Sequence, residues 1–134
     1  MTALGAFAYL DASAFVKLIV PEPESAAMRR ALVGWERTVS SEVVTVEARR
    51  AAGRVGGPAP ERAEEALEGL ILIPLSPMIR DAAASMSPPA LRSLDAIHLA
   101  TARALGPELG ALFVYDHRLA AAAAEAAMPL ASPA

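Results

Sequence analysis

The stretch FAYLD, residues 7–11, sets a short apolar run directly before an aspartate and predicts a buried β-strand that ends at Asp11. The stretch ALFVYD, residues 111–116, has the same arrangement and ends at Asp116. Short β-like runs alternate with longer helical segments along the chain, which is typical of an α/β fold with a mostly parallel sheet. Because such folds bind ligands at the carboxyl edge of the sheet, we expect both aspartates to lie there.

The other elements follow from hydrophobic periodicity and from helix start and stop signals. Further strands are predicted at Arg37–Ser40, Leu70–Leu75 and the terminal stretch PLASPA. The predicted helices are about Ala14–Val20, Glu24–Val33, Ser41–Ala52 with Ser41 as N-cap and Glu42 in the first turn, residues 61–70 preceded by Pro60, Met78–Ser85, Ala90–Leu105 and the Ala-rich segment after Asp116. The stretch GRVGGPAP, residues 53–60, is predicted to be a loop. We expect one domain to span residues 1–134.

The composition excludes several kinds of site. The chain has 134 residues and no cysteine, so disulfide frameworks, thiolate zinc sites and a catalytic cysteine are ruled out. Its formal net charge of −3 argues against a nucleic-acid binder that relies on a broad basic face. The apolar start has no basic leading segment and contains Asp11 and Lys17, and no charge-free stretch reaches the roughly 20 residues of a membrane helix. We therefore expect a cytoplasmic protein that does not enter membranes.

Two further acids lie inside apolar helical segments. Asp95 is in LRSLDAIHLATA, residues 91–102, and Glu47 is in SSEVVTVEARRA, residues 40–51. A carboxylate is costly to bury unless it is paired, and the nearby cations are Arg92 and Arg50, each three residues away. A solvated surface position is the usual explanation for a single acid, but clustered carboxylates repel one another unless a cation neutralises them. Oxygen ligands alone favour Mg²⁺ or Mn²⁺ over zinc.

The four acids lie in four blocks of sequence, which are YLDASAFVKLIVPE (9–22), SSEVVTVEARRA (40–51), SLDAIHLATA (93–102) and VYDHRLAAAA (114–123). These blocks resemble the motifs of the PIN-domain family, and more narrowly those of its bacterial VapC-type toxins, in the family's order. The resemblance implies a single PIN-like α/β domain, with a five-stranded parallel sheet flanked by helices and the first strand central. It also implies an Mg²⁺- or Mn²⁺-dependent endoribonuclease, the toxin of a type II toxin–antitoxin pair, which a VapB-like antitoxin blocks.

Motif matching also implies the site residues. Asp11, Glu47, Asp95 and Asp116 match the family's acidic positions, and Ser13 matches a common small hydroxyl residue that supports the first aspartate. We predict that three of the acids, Asp11, Asp95 and Asp116, bind metal directly. Glu47 either completes the metal shell through water or orients the nucleophile.

One position departs from the family pattern. The family often has Thr or Ser two residues before the last aspartate, where this chain has Val114. A hydroxyl at that position could support the metal-bound water or a neighbouring carboxylate, so its absence puts that supporting role in doubt. Because all four acids are present, we do not infer an inactive enzyme.

Other residues near these motifs have simpler explanations. His98 is expected to pack beside the site rather than to act in it, although a histidine there could serve as a base. The pair Arg49–Arg50 is a better candidate for RNA contact than the single basic residues Lys17 and Arg118, because the pair adjoins Glu47. The scarce aromatic residues are expected in the core rather than stacked on bases; they include Tyr9, Phe15 and Trp35.

Two other functions fit the same sequence. One is a binding module that keeps the PIN fold without catalysis, since fold alone does not guarantee function. The other is a metal-dependent phosphodiesterase or phosphatase that acts on DNA or another phosphate ester with the same carboxylates. A homodimer is the default expectation for a small domain, and the helices on either side of GRVGGPAP are candidates for an antitoxin or self-association groove.

Overall fold

A five-stranded parallel sheet forms the centre of the fold, as the sequence predicted. The structure, a computed structural model, describes residues 5–134. The strands are β1 (Phe7–Leu10), β2 (Arg37–Ser41), β3 (Ile71–Ile73), β4 (Leu109–Phe113) and β5 (Leu130–Ala131). They pair in the order β3-β2-β1-β4-β5, which places the first strand in the middle.

Helices cover both faces of this sheet. Within residues 5–134 they are α1 (Ala12–Val16), α2 (Ser25–Leu32), α3 (Val43–Val55), α4 (Ala59–Glu68), α5 (Pro77–Ala84), α6 (Ser93–Ala104) and α7 (His117–Glu125), with a short 3₁₀ turn at Gly106–Glu108 before β4. None of these helices is long and apolar enough to cross a membrane. The α/β architecture predicted from the sequence is therefore confirmed.

The side chains of β1 alternate between two hydrophobic cores. Successive side chains of a strand point to opposite faces of the sheet. Ala8 and Leu10 join a core formed with α1 to α4, whereas Tyr9 joins a second core formed with α6 and α7. Phe15 and Trp35 pack in the first core, so the predicted core positions of the aromatic residues are confirmed. Because both faces of β1 are covered, its residues are apolar in succession, as in other parallel sheets.

The loop predicted at residues 53–60 is shorter than expected. Helix α3 continues through Val55, and the Gly56 N–H closes its last turn on the Ala52 carbonyl. Ala52 is fully buried while Gly53 faces open space, so packing of the inner helix face outweighs the low helix propensity of one glycine. The turn before α4 is limited to residues 56–58, where Gly56 and Gly57 have positive φ.

The start of α3 also differs from the prediction. Ser41 is not the N-cap but the last residue of β2, where it pairs with Ile73. Glu42 occupies the N-cap position without a capping side-chain bond. Its carboxylate instead accepts a hydrogen bond from the Leu75 N–H, which ties the start of α3 to the segment after β3. Glu42 therefore has a structural role of its own, which is separate from the role predicted for Glu47.

Helix α6 begins at Ser93 and not at Ala90, because a turn follows the two prolines that precede it. The Leu91 N–H bonds to the Pro88 carbonyl in that turn. Arg92 then has an extended backbone in the N-cap position. This shift leaves the Arg92 side chain just outside the helix, one turn before Asp95.

The strand order determines where a ligand crevice opens. The connection from β1 leads to β2 on one side, whereas β4 pairs with β1 on the other, so the order reverses between β1 and β4. Open α/β sheets bind ligands at such a switch point, beyond the carboxyl ends of the strands. Asp11 follows β1 and Asp116 comes shortly after β4, so both acids lie at this crevice, as predicted.

Candidate active site

Asp11 is a buried carboxylate between β1 and α1, with only 2% of the residue exposed. It accepts hydrogen bonds from the Ala14 N–H at 2.9 Å and the Ser13 hydroxyl at 2.7 Å. The first of these bonds caps α1, which therefore starts two residues before the predicted position. Burial raises the pKa of Asp11 to about 6; the two hydrogen bonds and His98 oppose this shift in part, and the Asp95 carboxylate adds to it. A neighbouring cation would stabilise the ionised form.

Ser13 connects the ends of the two central strands. Its hydroxyl donates to Asp11 and accepts from the Tyr115 N–H at 2.8 Å and the Asp116 N–H at 3.3 Å. Ser13 and Tyr115 are 102 residues apart in sequence. One side chain thus links the Asp11 carboxylate to the backbone N–H of Asp116.

Asp95 and Asp116 share one arginine. The Arg92 Nε lies 3.2 Å from Asp95 Oδ2, and its Nη2 lies 3.3 Å from Asp116 Oδ2. Asp116 also caps α7, because its Oδ1 accepts a hydrogen bond from the Leu119 N–H. The Arg92 side chain is 64% exposed, and ion pairs of such exposed groups contribute at most about 1 kcal/mol. The guanidinium is therefore a weakly held counter-ion that bridges the two carboxylates.

Glu47 lines the crevice from α3, and its partner comes from α6. Its Oε1 lies 2.6 Å from His98 Nε2. The other ring nitrogen of His98, Nδ1, lies 2.8 Å from the Tyr9 hydroxyl. His98 and Tyr9 are both fully buried. The expectation that His98 packs beside the site is confirmed by these contacts.

A groove of about 580 Å³ opens over these residues. Ser13, Glu47 and Asp116 line it, while Asp11 and Asp95 do not. The low exposure of those two side chains explains their absence from the lining. The exposed apolar side chains Val46 and Leu94 also lie in the groove. The groove therefore combines carboxylates with apolar surface at one edge of the sheet.

The predicted basic pair Arg49–Arg50 is divided between two surfaces. Arg49 forms two hydrogen bonds with Glu64 on α4, at 2.9 and 2.8 Å. Arg50 lines the groove, and so does Arg54 one helical turn further along α3. Among residues 5–134 neither Arg50 nor Arg54 forms an ion pair. Arg50 therefore lies in the groove lining and Arg49 outside it, and RNA contact by this pair stays a prediction.

Lys17 also reaches the groove, but its charge is already neutralised. Its Nζ lies 2.7 Å from Glu24 and 3.3 Å from Glu22, and it sits 4.9 Å from the centre of the Tyr115 ring. Burial alone would lower the pKa of Lys17, but the bonds to the two glutamates outweigh it and raise the pKa. The ion pairs of Lys17 therefore link the end of α1 to the segment that precedes α2.

The acids of the described residues do not form a preorganised metal site. Within residues 5–134 no three Asp, Glu or His side chains are close enough together to hold a metal ion as they stand. The reason is local: Asp95 and Asp116 turn to Arg92, and Glu47 turns to His98. The donor set nevertheless fits Mg²⁺ or Mn²⁺, because all its ligands are oxygens and because a cation already lies between two of them. Rotation of side chains would be needed to assemble the site.

The family of this chain follows from its likeness to known proteins. The PIN domain family model matches residues 8–125 of this chain. The chain belongs to the PIN-domain family. Two relatives from Mycobacterium tuberculosis show that this PIN domain is of the VapC type. Ribonuclease VapC46 is 44% identical over 125 residues, and Ribonuclease VapC47 is 40% identical over 130 residues. Each match covers 93% of this chain and 96% of the relative.

Two solved structures share the PIN fold with this chain. One is a toxin–antitoxin complex from Klebsiella pneumoniae, with a TM-score of 0.70 and 22% identity, covering 95% of this chain and 98% of that one. The other is Mycobacterium tuberculosis VapC20, described as a Sarcin-Ricin loop cleaving toxin, with a TM-score of 0.69 and 15% identity. That match covers 85% of this chain and 93% of VapC20. At these identities the likeness shows the fold alone.

The position that departs from the family pattern lies in the core of this PIN domain. Val114 is fully buried and packs with Tyr9, Leu112 and Leu119 in the second core. A hydroxyl at this position would enter an apolar cluster, at the cost of burying a polar group. The sequence alone could not indicate this packing, because it depends on which face of the sheet the residue meets. Ser13, by contrast, lies within hydrogen-bond distance of both neighbouring acids.

Proposed function

We propose that this PIN domain is an Mg²⁺- or Mn²⁺-dependent endoribonuclease and the toxin of a type II toxin–antitoxin pair. The observation that carries the proposal is the arrangement of Asp11, Asp95 and Asp116 around the switch point, with a raised Asp11 pKa and an arginine between the other two. The ribonuclease names of relatives that are 40–44% identical support the same activity. A cytoplasmic location, expected from the sequence, belongs to this proposal.

The residues of the site have separate roles in phosphodiester cleavage. Asp11, Asp95 and Asp116 would hold the metal, which supplies an activated water and neutralises charge on the phosphate. Ser13 keeps Asp11 and the backbone of Asp116 in place. Glu47 lines the groove and would accept a proton from the attacking water while the water oxygen bonds to phosphorus. One P–O ester bond breaks, and the leaving oxygen would take up a proton from solvent.

The groove suits single-stranded RNA. Arg50 and Arg54 lie one helical turn apart on the groove face of α3, and four residues of helix rise about 6 Å. They can each meet a phosphate of an extended strand, while Val46 and Leu94 offer apolar surface to unstacked bases. Sequence-specific RNA recognition mostly uses such single-stranded segments.

An antitoxin partner and a homodimer are also part of the proposal. The Klebsiella pneumoniae structure with the same fold is a toxin–antitoxin complex. The helices expected to form a partner groove, α3 and α4, pack against each other through small residues that include Ala52 and Ala63. A larger cleft of about 760 Å³ lies between α5, α6 and α7 and is lined by Met78, Leu99 and Ala122. Both association states remain predictions.

The test is cleavage of labelled oligonucleotides by the purified protein. We expect cuts in single-stranded RNA with Mg²⁺ or Mn²⁺ and none with a chelator. Single-stranded DNA and duplex DNA of the same sequence should stay intact. Preferential cleavage of DNA would favour the phosphodiesterase alternative. RNA binding without cleavage under any metal would favour a non-catalytic module.

A further inference from the structure

We propose that Tyr9 and His98 form a buried positioning pair that fixes the direction of the Glu47 carboxylate. The inference rests on the proposed ribonuclease function, since it assigns these residues to the orientation of the groove glutamate. Tyr9 is on β1, His98 on α6 and Glu47 on α3. Their hydrogen bonds therefore link three elements that are far apart in the sequence, with Glu47 and His98 51 positions apart.

The hydrogen-bond pattern determines which nitrogen of His98 carries hydrogen. The Ser41 N–H donates to the Tyr9 hydroxyl oxygen at 3.1 Å. The same hydroxyl lies 2.8 Å from the His98 Nδ1, with the Ser40 and Thr101 hydroxyls also beside it. An ionised carboxylate can only accept hydrogen bonds. His98 therefore carries a hydrogen on Nε2, and Nε2 donates to Glu47 Oε1 at 2.6 Å.

The surroundings of the pair keep this arrangement fixed. His98 is 1% exposed and Tyr9 is inaccessible, so water cannot replace either partner. The two rings meet edge to face, with their centres 5.9 Å apart and their planes at 78°. Ser41, which starts the chain of bonds, is held by its pairing with β3. A hydrogen bond inside a buried region of low dielectric is stronger than one at the surface.

The consequence for Glu47 is a division of labour between its two oxygens. Oε1 is occupied by His98, whereas Oε2 forms no hydrogen bond to any residue between 5 and 134. The side chain is 17% exposed and lines the groove, and Oε2 is the oxygen left free for other partners. Without the His98 bond, the flexible glutamate would sample other rotamers. We therefore expect the pair to act on the rate of the chemical step and not on RNA binding.

The test compares variants of the full chain that keep the core filled. In Tyr9→Phe, the ring remains but the hydroxyl that fixes Nδ1 is lost. In His98→Gln, the side-chain amide can still donate toward Glu47, whereas His98→Ala removes the donor. We expect kcat to fall on the order of 10-fold or more in Tyr9→Phe and His98→Ala, the scale on which outer partners of a site act. The KM for RNA should stay unchanged, and His98→Gln should recover part of kcat.

Two controls separate positioning from stability. Ser25→Ala removes a buried hydroxyl that bonds to Val20 and Glu22, away from Glu47; it should lower the melting temperature without lowering kcat. Nitrogen NMR of His98 should show hydrogen on Nε2 in the wild-type protein and a shifted Nδ1 resonance in Tyr9→Phe. An active wild-type protein with equal kcat in folded Tyr9→Phe and His98→Ala would overturn this inference alone, as would an Nε2 without hydrogen. A wild-type protein that does not cleave RNA would overturn the proposed function, and this inference with it.

Discussion

At the scale of single residues, Asp11 combines a structural and a chemical task. Its carboxylate caps α1 and receives the Ser13 hydroxyl, yet it is buried with a pKa raised to about 6 by desolvation. The capping bonds need only an oxygen acceptor, whereas metal binding needs a negative charge. The two tasks can therefore be separated by one substitution.

Asp11→Asn should abolish RNA cleavage while keeping the fold. Asparagine is as good an N-cap as aspartate and still offers an oxygen to Ser13, so the melting temperature should not fall. Loss of a direct metal ligand should reduce kcat/KM more than about 100-fold, since outer partners alone account for 10–100-fold effects. The measurement is single-turnover cleavage of labelled RNA. Asp81→Asn on the exposed face of α5 is the control, and wild-type cleavage by Asp11→Asn would show that the assignment is wrong.

The raised pKa of Asp11 also predicts how stability depends on pH without metal. The folded state holds the Asp11 proton more tightly than the unfolded chain, with pKa values of about 6 and 3.8. Stability is therefore lost as the pH rises through this interval, by about 3 kcal/mol in total. In chelator, unfolding by urea should show wild-type protein losing stability relative to Asp11→Asn between about pH 4 and pH 6. Parallel curves for the two proteins would contradict the expectation.

At the scale of secondary structure, α3 carries the residues that would meet the substrate. Glu47, Arg50 and Arg54 lie along its groove face, and Arg49 lies outside the groove, where it pairs with Glu64. The helix thus carries two arginines that line the groove and one that is paired outside it. This difference makes a matched comparison possible.

Arg50→Gln and Arg54→Gln should each weaken RNA binding, whereas Arg49→Gln should not. Each lost phosphate contact should reduce the slope of log K against log salt by about 0.7 for a single strand. Binding is measured by fluorescence anisotropy of labelled RNA in the Asp11→Asn background, so that no cleavage occurs. If Arg49→Gln weakened binding as much as Arg50→Gln, the loss of net charge would explain the result, and direct phosphate contacts in the groove would not be needed.

At the scale of the whole molecule, the parallel sheet brings distant acids to one crevice, and Arg92 partly neutralises them. Metal that binds only the folded state stabilises it by about 2.7 kcal/mol at 100-fold excess over Kd. Mg²⁺ or Mn²⁺ should therefore raise the melting temperature by several degrees, and Asp11→Asn should lose this response. Arg92→Gln should respond more strongly than the wild-type protein, because the guanidinium no longer competes for Asp95 and Asp116. An equal response in Arg92→Gln would show that Arg92 does not compete with metal.

Much of the molecule could be predicted from local sequence patterns. Apolar runs before Asp11 and Asp116 indicated the strands and the parallel sheet, and the order of motifs indicated the family. Helix boundaries were less accurate where tertiary contacts decided them, as where Ser41 pairs with β3 instead of capping α3. A turn set by Pro88 likewise delayed the start of α6.

The contacts between the site residues could not be predicted in this way. The spacing of Arg92 and Asp95 was visible in the sequence, but the second bond of Arg92, to Asp116, joins residues 24 positions apart. The bond between His98 and Glu47 depends on how α3 and α6 meet across the sheet edge. Periodicity shows which face of a helix is buried, but it does not show which side chains meet there. The direct metal ligands therefore remain predictions.

The burial of Asp11 has a consequence for directed evolution. A library of this gene selected only for surviving heat, in a medium without divalent metal, would reward removal of the costly negative charge at this position. Neutral replacements that keep the helix cap, asparagine first among them, should be enriched over successive rounds. The selected variants would be heat-stable but inactive, since active sites commonly lose activity when they are changed to gain stability. Selection for robustness would thus need a simultaneous demand for RNA cleavage.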